Sequence, residues 1–472
     1  MKILIIEDDL IFVEGLVALL SDVHRVTVEV HSDVESAQAA LRAKMFDLII
    51  LDLKLPSTKG ALDAKAEHGH AVFDVIMSLA PGTPVRILTS SEPDAFLRRL
   101  VGKADQSDVW GGGLKVSTVE YYVKDEATDL IEEIKMHAAV IEQTDRIDIN
   151  SRGVELGLNQ QQCRALRSFV RKSGGASCEA RRLGGLSGSV VLKVIVNDEK
   201  GRKVAASVAK IGLREKVSKE LAAYDRHVRN MKIGAFAHVV AQQEQGLQNS
   251  SSVFYQLADG FDRTFFDVVL ESPKDAARVI EGIRCALEVW SDAREQRICT
   301  VKDVRRTILD DQAYESIISD YGLEGLRWVE EAEVSVASSC LHGDLHGSNV
   351  LVDAALTPVV IDYGDVGRGF TCIDPITLEL SMIFHPDAVR LRDAMQGGLE
   401  HWVDRDEYTS KNAVKPVIDA CRNWAYDVAG GDKAFLAAAY CFTLRQLKFN
   451  TVDSELTMSL LRLLAARLDS KR

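Results

Sequence analysis

Acidic residues and a lysine follow the apolar segments in the N-terminal part of this chain. Glu7 and Asp8 follow the first segment, Asp52 ends a second, Thr89 ends a third and Lys124 ends a fourth. A carboxylate can accept a phosphoryl group when a divalent cation neutralises the incoming charge and a lysine stabilises the acyl phosphate. The pattern therefore predicts an aspartyl-phosphate site with Asp52 as the phosphoacceptor beside an acidic cation pocket.

A second cluster of reactive residues lies in the C-terminal half, in the sequence HGDLHGSN at 342–349. Asp344 and Asn349 are five residues apart, and Asp362 ends the apolar segment that follows. Phosphoryl transfer from ATP needs bound phosphates, metal ions that bridge them and a residue that orients the acceptor hydroxyl. Asp344 can supply the base, while Asn349 and Asp362 can supply metal ligands.

A glycine-rich turn at 184–189 lies between two predicted strands upstream of this cluster. Its backbone N–H groups are available to bind phosphates. Lys210 ends the next predicted strand, where it can reach those phosphates, and Glu220 on the following helix could pair with it. Together these residues predict a second phosphoryl-transfer site, which uses ATP.

The order of predicted elements indicates how the chain is organised. Residues 1–135 alternate apolar strands with helical patterns, which is typical of an α/β doubly wound parallel sheet with its functional residues at the carboxyl ends of the strands. We predict domains at 1–140 and 181–472, joined by a connector at 141–180 that contains a helix over 159–172. The connector is locally basic, so it is either a solvated linker or a segment that docks on the acidic first domain.

Composition and charge exclude several classes of protein. The 472 residues exceed what one core usually supports, and no apolar run is long enough for a membrane helix. We therefore expect a cytoplasmic protein without a membrane segment. The eight cysteines form no C-x-x-C pair, which favours reduced thiols. The net charge is −13, and residues 1–150 hold 15 basic and 26 acidic side chains, which argues against a nucleic-acid partner.

Residues 1–135 resemble response-regulator receiver domains, on the strength of Asp8, Asp52, Thr89 and Lys124 in that order. The resemblance implies a flavodoxin-like fold, phosphorylation by a histidine kinase or another phosphodonor, and a possible homodimer through the receiver. It also implies roles for particular residues: Mg²⁺ bound by Glu7, Asp8, Asp52 and the Lys54 carbonyl, and a switch formed by Thr89, Lys124 and Tyr121. Segments 57–69 and 103–117 are longer than receivers usually have.

Residues from about 180 to 470 resemble the protein-kinase-like fold, in its aminoglycoside and choline phosphotransferase branch. The resemblance implies an α+β bilobal domain, with an N-lobe at about 181–260 and a C-lobe at about 261–472. It implies that Asp344 is the catalytic base, that Asn349 and Asp362 bind Mg²⁺, and that Lys210 positions phosphates. The residues expected to bind ATP are Gly185, Ser187, Gly188, Ser189, Lys210, Glu220, Gln256 and Leu257.

Two hypotheses for function follow from this pair of sites. In the first, phosphorylation of Asp52 regulates an ATP- and Mg²⁺-dependent phosphotransferase that acts on an unidentified hydroxyl acceptor. In the second, the C-terminal domain is a nucleotide-binding pseudokinase that relays the state of the receiver to a protein partner. The presence of Asp344, Asn349 and Asp362 together favours the enzyme, because a scaffold needs no complete catalytic set.

Overall fold

The computed structural model of the chain describes residues 1–89, 106–124, 127–184, 188–232, 234–258, 260–291, 293–410 and 412–469. Contacts divide the chain into two compact units. Unit 1 consists of Met1–Ser218 and Val239–Gln256, and unit 2 consists of Lys219–His238 and Leu257–Arg472. The predicted boundaries at 140 and 180 both fall inside unit 1, and the independent folding of residues 1–140 stays a prediction.

The first part of unit 1 is built on a parallel sheet. Its strands and helices are β1 (Lys2–Ile6), α1 (Leu10–Ser21), β2 (Thr27–His31), α2 (Val34–Ala43), β3 (Leu48–Asp52), α3 (Ala66–Leu79), β4 (Val85–Thr89), β5 (Gln106–Ser107), β6 (Val116–Ser117), β7 (Val119–Val123) and α4 (Ala127–Asp145). Five of the strands pair in the order β2-β1-β3-β4-β7, all parallel. Apolar side chains fill both faces of this sheet, which explains why β1 and β3 are apolar over Ile3–Ile6 and Leu48–Leu51. The predicted doubly wound fold is confirmed.

The second part of unit 1 is a six-stranded sheet with one helix packed on it. Its elements are β8 (Asp148–Asn150), α5 (Gln160–Lys172), β9 (Ser177–Gly184), β10 (Val190–Asn197), β11 (Lys203–Leu213), β12 (Val239–Gln243) and β13 (Ser250–Gln256). Helix α6 (Arg214–His227) lies between β11 and β12 in the chain. The strand order is β12-β13-β11-β10-β9-β8. Phe169 of α5 stacks on Phe254 of β13 with ring centroids 3.9 Å apart. The stretch predicted as a connector therefore supplies a strand and a helix to this sheet.

The amino-terminal ends of the parallel strands pack against this second sheet and its helix. Arg164 of α5 donates from Nη1 to Oδ1 of Asp47 at 2.8 Å, and both side chains are buried. Three further hydrogen bonds join the same two surfaces: Gln248 Nε2 to Leu41 O, Gly246 N to Pro81 O, and Gln243 Nε2 to Val109 O. The basic stretch therefore docks on the acidic domain, which was the second alternative for the connector.

The hairpin β5–β6 belongs to the longer segment between β4 and β7, and it lies in this contact. Trp110 is buried in a cluster with Val109, Val116 and Ile141 of α4. Its carbonyl accepts a hydrogen bond from Oγ1 of Thr144 at 2.9 Å. Residues 106–117 of this segment thus pack against α4 and α5.

Unit 2 is rich in helices and contains two small antiparallel sheets. Its strands are β14 (Arg263–Thr264), β15 (Glu295–Thr300), β16 (Glu333–Leu341), β17 (Val350–Val352), β18 (Pro358–Val360) and β19 (Gly367–Phe370). They pair in the orders β14-β17-β18 and β15-β16-β19. Its helices are α7 (Phe265–Glu271), α8 (Pro273–Ala286), α9 (Glu288–Ser291), α10 (Val301–Arg306), α11 (Asp311–Asp320), α12 (Ile373–Phe384), α13 (Val389–Gln396), α14 (Arg405–Thr409), α15 (Lys415–Ala429), α16 (Asp432–Gln446) and α17 (Ser454–Leu468). Helix α12 is buried along its whole length. None of the helices in the described ranges is both long and apolar enough to cross a membrane.

Two candidate phosphoryl-transfer sites

The carboxyl ends of the receiver strands bring the first set of predicted residues together. Ligand oxygens of Glu7, Asp8 and Asp52 all lie within 4.8 Å of one another. Nζ of Lys124 is 2.7 Å from Glu7 Oε2 and 2.9 Å from Asp52 Oδ2. Three carboxylates this close suit a hard divalent cation such as Mg²⁺, because carboxylate oxygens are its preferred protein ligands.

Neighbouring strands and hydrogen bonds from nearby backbone N–H groups hold these carboxylates in place. Strands β1 and β3 are adjacent and parallel, so Glu7 and Asp52 leave the same edge of the sheet. Oε1 of Glu7 accepts a hydrogen bond from the N–H of Asp9, and Oδ1 of Asp52 accepts one from the N–H of Lys54. The backbone of Lys54 therefore adjoins the pocket, and its carbonyl as a Mg²⁺ ligand stays a prediction.

Burial and mutual repulsion perturb the acids of this pocket. Burial, together with the charge of Asp52, raises the pKa of Glu7 to about 7, against the lowering effect of Lys124. Burial also raises the pKa of Asp8. Burial lowers the pKa of Lys124, but its hydrogen bonds to Glu7 and Asp52 outweigh this and raise it overall. The pocket concentrates negative charge that Lys124 partly offsets, and such a concentration of carboxylates favours the binding of a cation.

The predicted switch residues occupy different positions. Thr89 ends β4, and its side chain lies outside the described part of the structure. Tyr121 lies on the edge strand β7, opposite Ile87 of β4, and is 37% exposed. Lys124 contacts the acids directly. A change of Tyr121 rotamer on phosphorylation stays a prediction.

The longer segment after Asp52 folds back on the end of β3. The N–H of Gly69 donates to the carbonyl of Leu53 at 3.0 Å, and Leu55 forms a bridge with Lys65. A Cβ atom at Gly69 would lie 2.2 Å from the backbone of Leu53, so glycine is required for this close approach. The segment therefore covers one side of the loop that follows Asp52.

Buried hydrogen bonds hold the loop of the second site. The carboxylate of Asp374 accepts from the N–H of His342 at 2.8 Å and from that of Gly343 at 2.9 Å. Nε2 of His342 is 3.1 Å from the carbonyl oxygen of Ile361. His342 and Asp374 are almost fully buried, so the backbone immediately before Asp344 has a fixed path.

Within unit 2, Asn349 lies beside Asp344. Nδ2 of Asn349 donates to the carbonyl of Asp344 at 2.9 Å, and the Asn349 carbonyl accepts from the N–H of Ile361. Asp362 follows directly and has a φ of +65°, an unusual backbone conformation for a residue other than glycine. Such strain is often found where a side chain must be aimed at a ligand.

The carboxylate of Asp344 has two basic neighbours that sequence reasoning did not assign to it. Nη1 of Arg445 lies 3.2 Å from Oδ1 of Asp344, and Nε2 of His346 lies 3.8 Å from Oδ2. Burial raises the pKa of Asp344, but the nearby charges of His346 and Arg445 lower it below its ordinary value overall. Arg445 lies 101 residues away on α16, and nothing local in the sequence marks it.

The predicted nucleotide-binding residues are divided between the units. Gly185 and Ser187 lie outside the described residues. Gly188 has a φ of +78°, and Ser189 is buried with no hydrogen-bond partner for its Oγ in the described part of the chain. An unpartnered hydroxyl at a glycine-rich turn is suited to donate to a phosphate.

The remaining predicted residues of the ATP site lie on β11, α6 and the end of β13. Lys210 is buried in β11, which continues to Leu213, so the prediction that this lysine ends its strand is wrong. Gln256 ends β13 and pairs with Ser207. Glu220 of α6 and Leu257, both buried, belong to unit 2. The pairing of Lys210 with Glu220 stays a prediction.

Comparisons with known proteins support the two-part reading of the chain. The family model of the response regulator receiver domain matches residues 3–108, and that of the ternary complex associated domain 9 matches residues 180–272. The receiver prediction is confirmed. Two uncharacterized proteins of Mycobacterium tuberculosis, MT0675 and Rv0647c, are each 25% identical to this chain over 182 residues, which is 38% of this chain. That match covers 36% of each relative, so the chain spans about a third of the length of the curated relatives it matches.

Among solved structures, the aminoglycoside-3'-phosphotransferase of type VIII is 18% identical, with a TM-score of 0.33, over 56% of this chain and 100% of that one. A thermostable mutant of the aminoglycoside phosphotransferase APH(4)-Ia is 14% identical, with a TM-score of 0.35, over 62% and 92%. NtrX from Brucella abortus is 16% identical, with a TM-score of 0.22, over 36% and 34%. The C-terminal part of the chain has a kinase-like element order: antiparallel strands, helix α6, a hairpin, and then a helical part with its loop between β16 and β17.

Proposed function

We propose that this chain is a two-component signalling protein in which phosphorylation of Asp52 regulates an ATP- and Mg²⁺-dependent phosphotransferase. A histidine kinase or another phosphodonor would supply the phosphoryl group to Asp52, since a receiver domain takes its input from such a donor. The acceptor of the second reaction is a hydroxyl group. Dimerisation through the receiver is a further part of this proposal.

The observation that carries the proposal is the rigid attachment of the Asp344 loop. Asp374 binds the N–H groups of His342 and Gly343, while Asn349 binds the carbonyl of Asp344. A general base must be held within hydrogen-bond reach of the proton that it accepts. Fixing the backbone on both sides of the carboxylate supports that role for Asp344.

These residues can account for each bond that forms or breaks when a phosphoryl group passes from ATP to a hydroxyl group. The Asp344 carboxylate accepts the proton of the acceptor hydroxyl, and the freed oxygen forms a bond with the γ-phosphorus of ATP. The bond between that phosphorus and the bridging oxygen breaks, and ADP leaves with its electron pair. Bound Mg²⁺ would neutralise the phosphate charge, and Asn349 and Asp362 are the residues proposed to hold it.

Regulation is supported by the composition of unit 1. The receiver and the sheet that carries Lys210 share one compact unit. Hydrogen bonds from Gln243, Gly246 and Gln248 reach the receiver from the β12–β13 hairpin, and β13 pairs directly with β11. A change in receiver packing could therefore alter the strand that holds Lys210.

One observation favours the alternative of a pseudokinase scaffold. Arg445 lies 3.2 Å from Asp344, and a base paired with arginine is a weaker proton acceptor. In that alternative the second domain binds nucleotide and passes the state of the receiver to a protein partner without turnover.

Calorimetry and turnover assays on the full chain separate the two functions. ATP should bind only with Mg²⁺, and Asp362→Asn should remove that metal dependence. Asp344→Asn should keep nucleotide affinity and reduce turnover about 10²–10⁴-fold, because general-base catalysis contributes that much. The control Asp320→Asn changes an exposed acid on α11 and should alter neither. Metal-dependent ATP binding with no turnover, whether or not hydroxyl acceptors are added, would establish the scaffold instead, and the absence of ATP binding would refute both.

A further inference from the structure

A pocket of about 220 Å³ lies in unit 2 beside the loop that carries Asp344. Gly343, the residue before Asp344, lines this pocket. Arg445 lines it too and donates to Oδ1 of Asp344. A molecule in the pocket would therefore lie next to the carboxylate that the proposed function assigns as the base.

The charged side chains that line the pocket are mostly cationic. Lys219, Arg368 and Arg445 face one acid, Asp365. Two further acids of unit 2 do not line the pocket and have other partners. Glu330 forms a buried ion pair with Arg305, and Asp374 accepts hydrogen bonds from the loop backbone. The lining therefore suits a negatively charged ligand better than a positively charged one.

Each of the three cations has an acidic partner that an incoming anion could replace. Lys219 is 3.3 Å from Asp365 and Arg368 pairs with Glu295; all four of these side chains are exposed, and exposed pairs contribute little. Arg445 is only 21% exposed, and its partner is Asp344 itself. An anion that replaced Asp344 as the partner of Arg445 would thus change the environment of the proposed base.

We propose that this pocket binds a phosphoryl acceptor that carries a negative charge in addition to its hydroxyl group, and that Arg445 moves from Asp344 to that charge. The inference rests on the proposed function, whose acceptor it specifies. Loss of the arginine pair leaves Oδ1 of Asp344 available for the hydroxyl proton. Without an acceptor, turnover is low because Arg445 remains paired with Asp344. The ion pair that favours a scaffold would then serve to suppress turnover until the acceptor binds.

Small hydroxyl compounds that differ in charge test this inference on the full chain. Glycerol phosphate, glycerate, glycerol and ethanolamine are each added with Mg²⁺; the shift in Tm is measured with and without ATP, and ADP release is measured with ATP. The two anions should raise ADP release and Tm, and neutral glycerol should have a smaller effect. A preference for cationic ethanolamine, or no response to either anion while ATP binds, overturns the inference.

Variants of the lining residues locate the effect. Arg368→Gln should weaken glycerol phosphate binding about fivefold to tenfold, which corresponds to one charge-assisted hydrogen bond that is partly screened. The control Arg278→Gln removes an exposed, paired arginine on α8 that lies outside the pocket, and it should have no effect. Equal effects of the two variants would show only a general loss of charge and would overturn the site.

A third variant fills the pocket. A Cβ atom at Gly367 meets nothing within 4 Å, so Gly367→Leu should fold normally and block entry. It should abolish the response to both anions without changing ATP affinity. Calorimetry with ATP alone tests the proposed function separately, since anion binding by Tm shift does not require ATP to bind. Arg445→Gln should make turnover insensitive to the charge of the acceptor.

Discussion

The two ends of the receiver sheet differ in what covers them. At the carboxyl end, Glu7, Asp8 and Asp52 form an acidic pocket beside Lys124, with Tyr121 partly exposed nearby. At the amino end, Asp47 and the carbonyls of three neighbouring segments are bonded to α5 and the β12–β13 hairpin. The proposed phosphorylation would take place at one end and the attachment lies at the other, so the proposed signal would have to cross the length of the sheet.

The largest expected effect concerns the carboxyl end. Asp52→Asn should abolish labelling of the full chain by acetyl phosphate with Mg²⁺, because an amide cannot accept a phosphoryl group. The control Asp22→Asn, an exposed acid at the end of α1, should label normally. The label should be lost in alkali; an alkali-resistant mark would mean that another type of residue is phosphorylated.

The next largest effect concerns the amino end. Arg164→Met leaves the buried carboxylate of Asp47 without its arginine, and removing one partner of a buried pair costs about 3–5 kcal/mol. Urea unfolding of the full chain measures this loss. Arg152→Met breaks an exposed pair with Glu179 and should cost less than about 1 kcal/mol. If the two variants lose the same stability, the buried attachment is not what holds this end.

The amino end should also loosen in acid. Burial lowers the pKa of His137 to about 4, beside Trp110 with ring centroids 4.9 Å apart. The unfolded chain binds this proton at about pH 6.5, so the stability that neutral His137 supports is present above that pH and is lost as the pH falls toward 4. From pH 7 to 5 the wild type should lose about 2 kcal/mol more than His137→Phe. Parallel stability curves for the two proteins would contradict this.

The smallest expected effect is the coupling between the ends. Beryllofluoride at Asp52 should change ATP affinity several-fold, because switches of this kind couple by about 1–3 kcal/mol. Tyr121→Ala should reduce that response with little change in stability. Gln243→Leu, which removes a hydrogen bond to Val109, should reduce it and also cost about 1 kcal/mol of stability. A full response in both variants would place the coupling elsewhere, in an outside partner or a dimer.

The residues at the carboxyl end of the sheet could be predicted from the sequence because each of them directly follows or ends an apolar strand. Asp52 ends an apolar strand, and parallel strands place such residues at one edge, so Glu7 and Lys124 had to lie near it. The helix predicted over 159–172 is present as α5, which begins with a capping box between Asn159 and Gln162. Each of these inferences uses neighbours in the chain or a rule about strand ends.

The amino end and the surroundings of Asp344 could not be predicted in this way. Asp47 and Arg164 are 117 residues apart, and Asp344 and Arg445 are 101 apart. Neither arginine stands in a motif, and each lies on a helix whose pattern indicates only which face is apolar. The connector looked separate from the next sheet because a three-residue strand such as β8 has too short a pattern to detect.

The attachment of the receiver to β8 and α5 has a consequence for how the chain is made. A ribosome releases the receiver, β8 and α5 before it has synthesised the strands that they pack against, and domains generally fold in that order. The apolar side of α5, including Phe169, is then available when β9 to β13 emerge. The receiver and α5 would thus form the surface on which the later sheet assembles. A gene fusion that exchanged the receiver would have to take β8 and α5 with it.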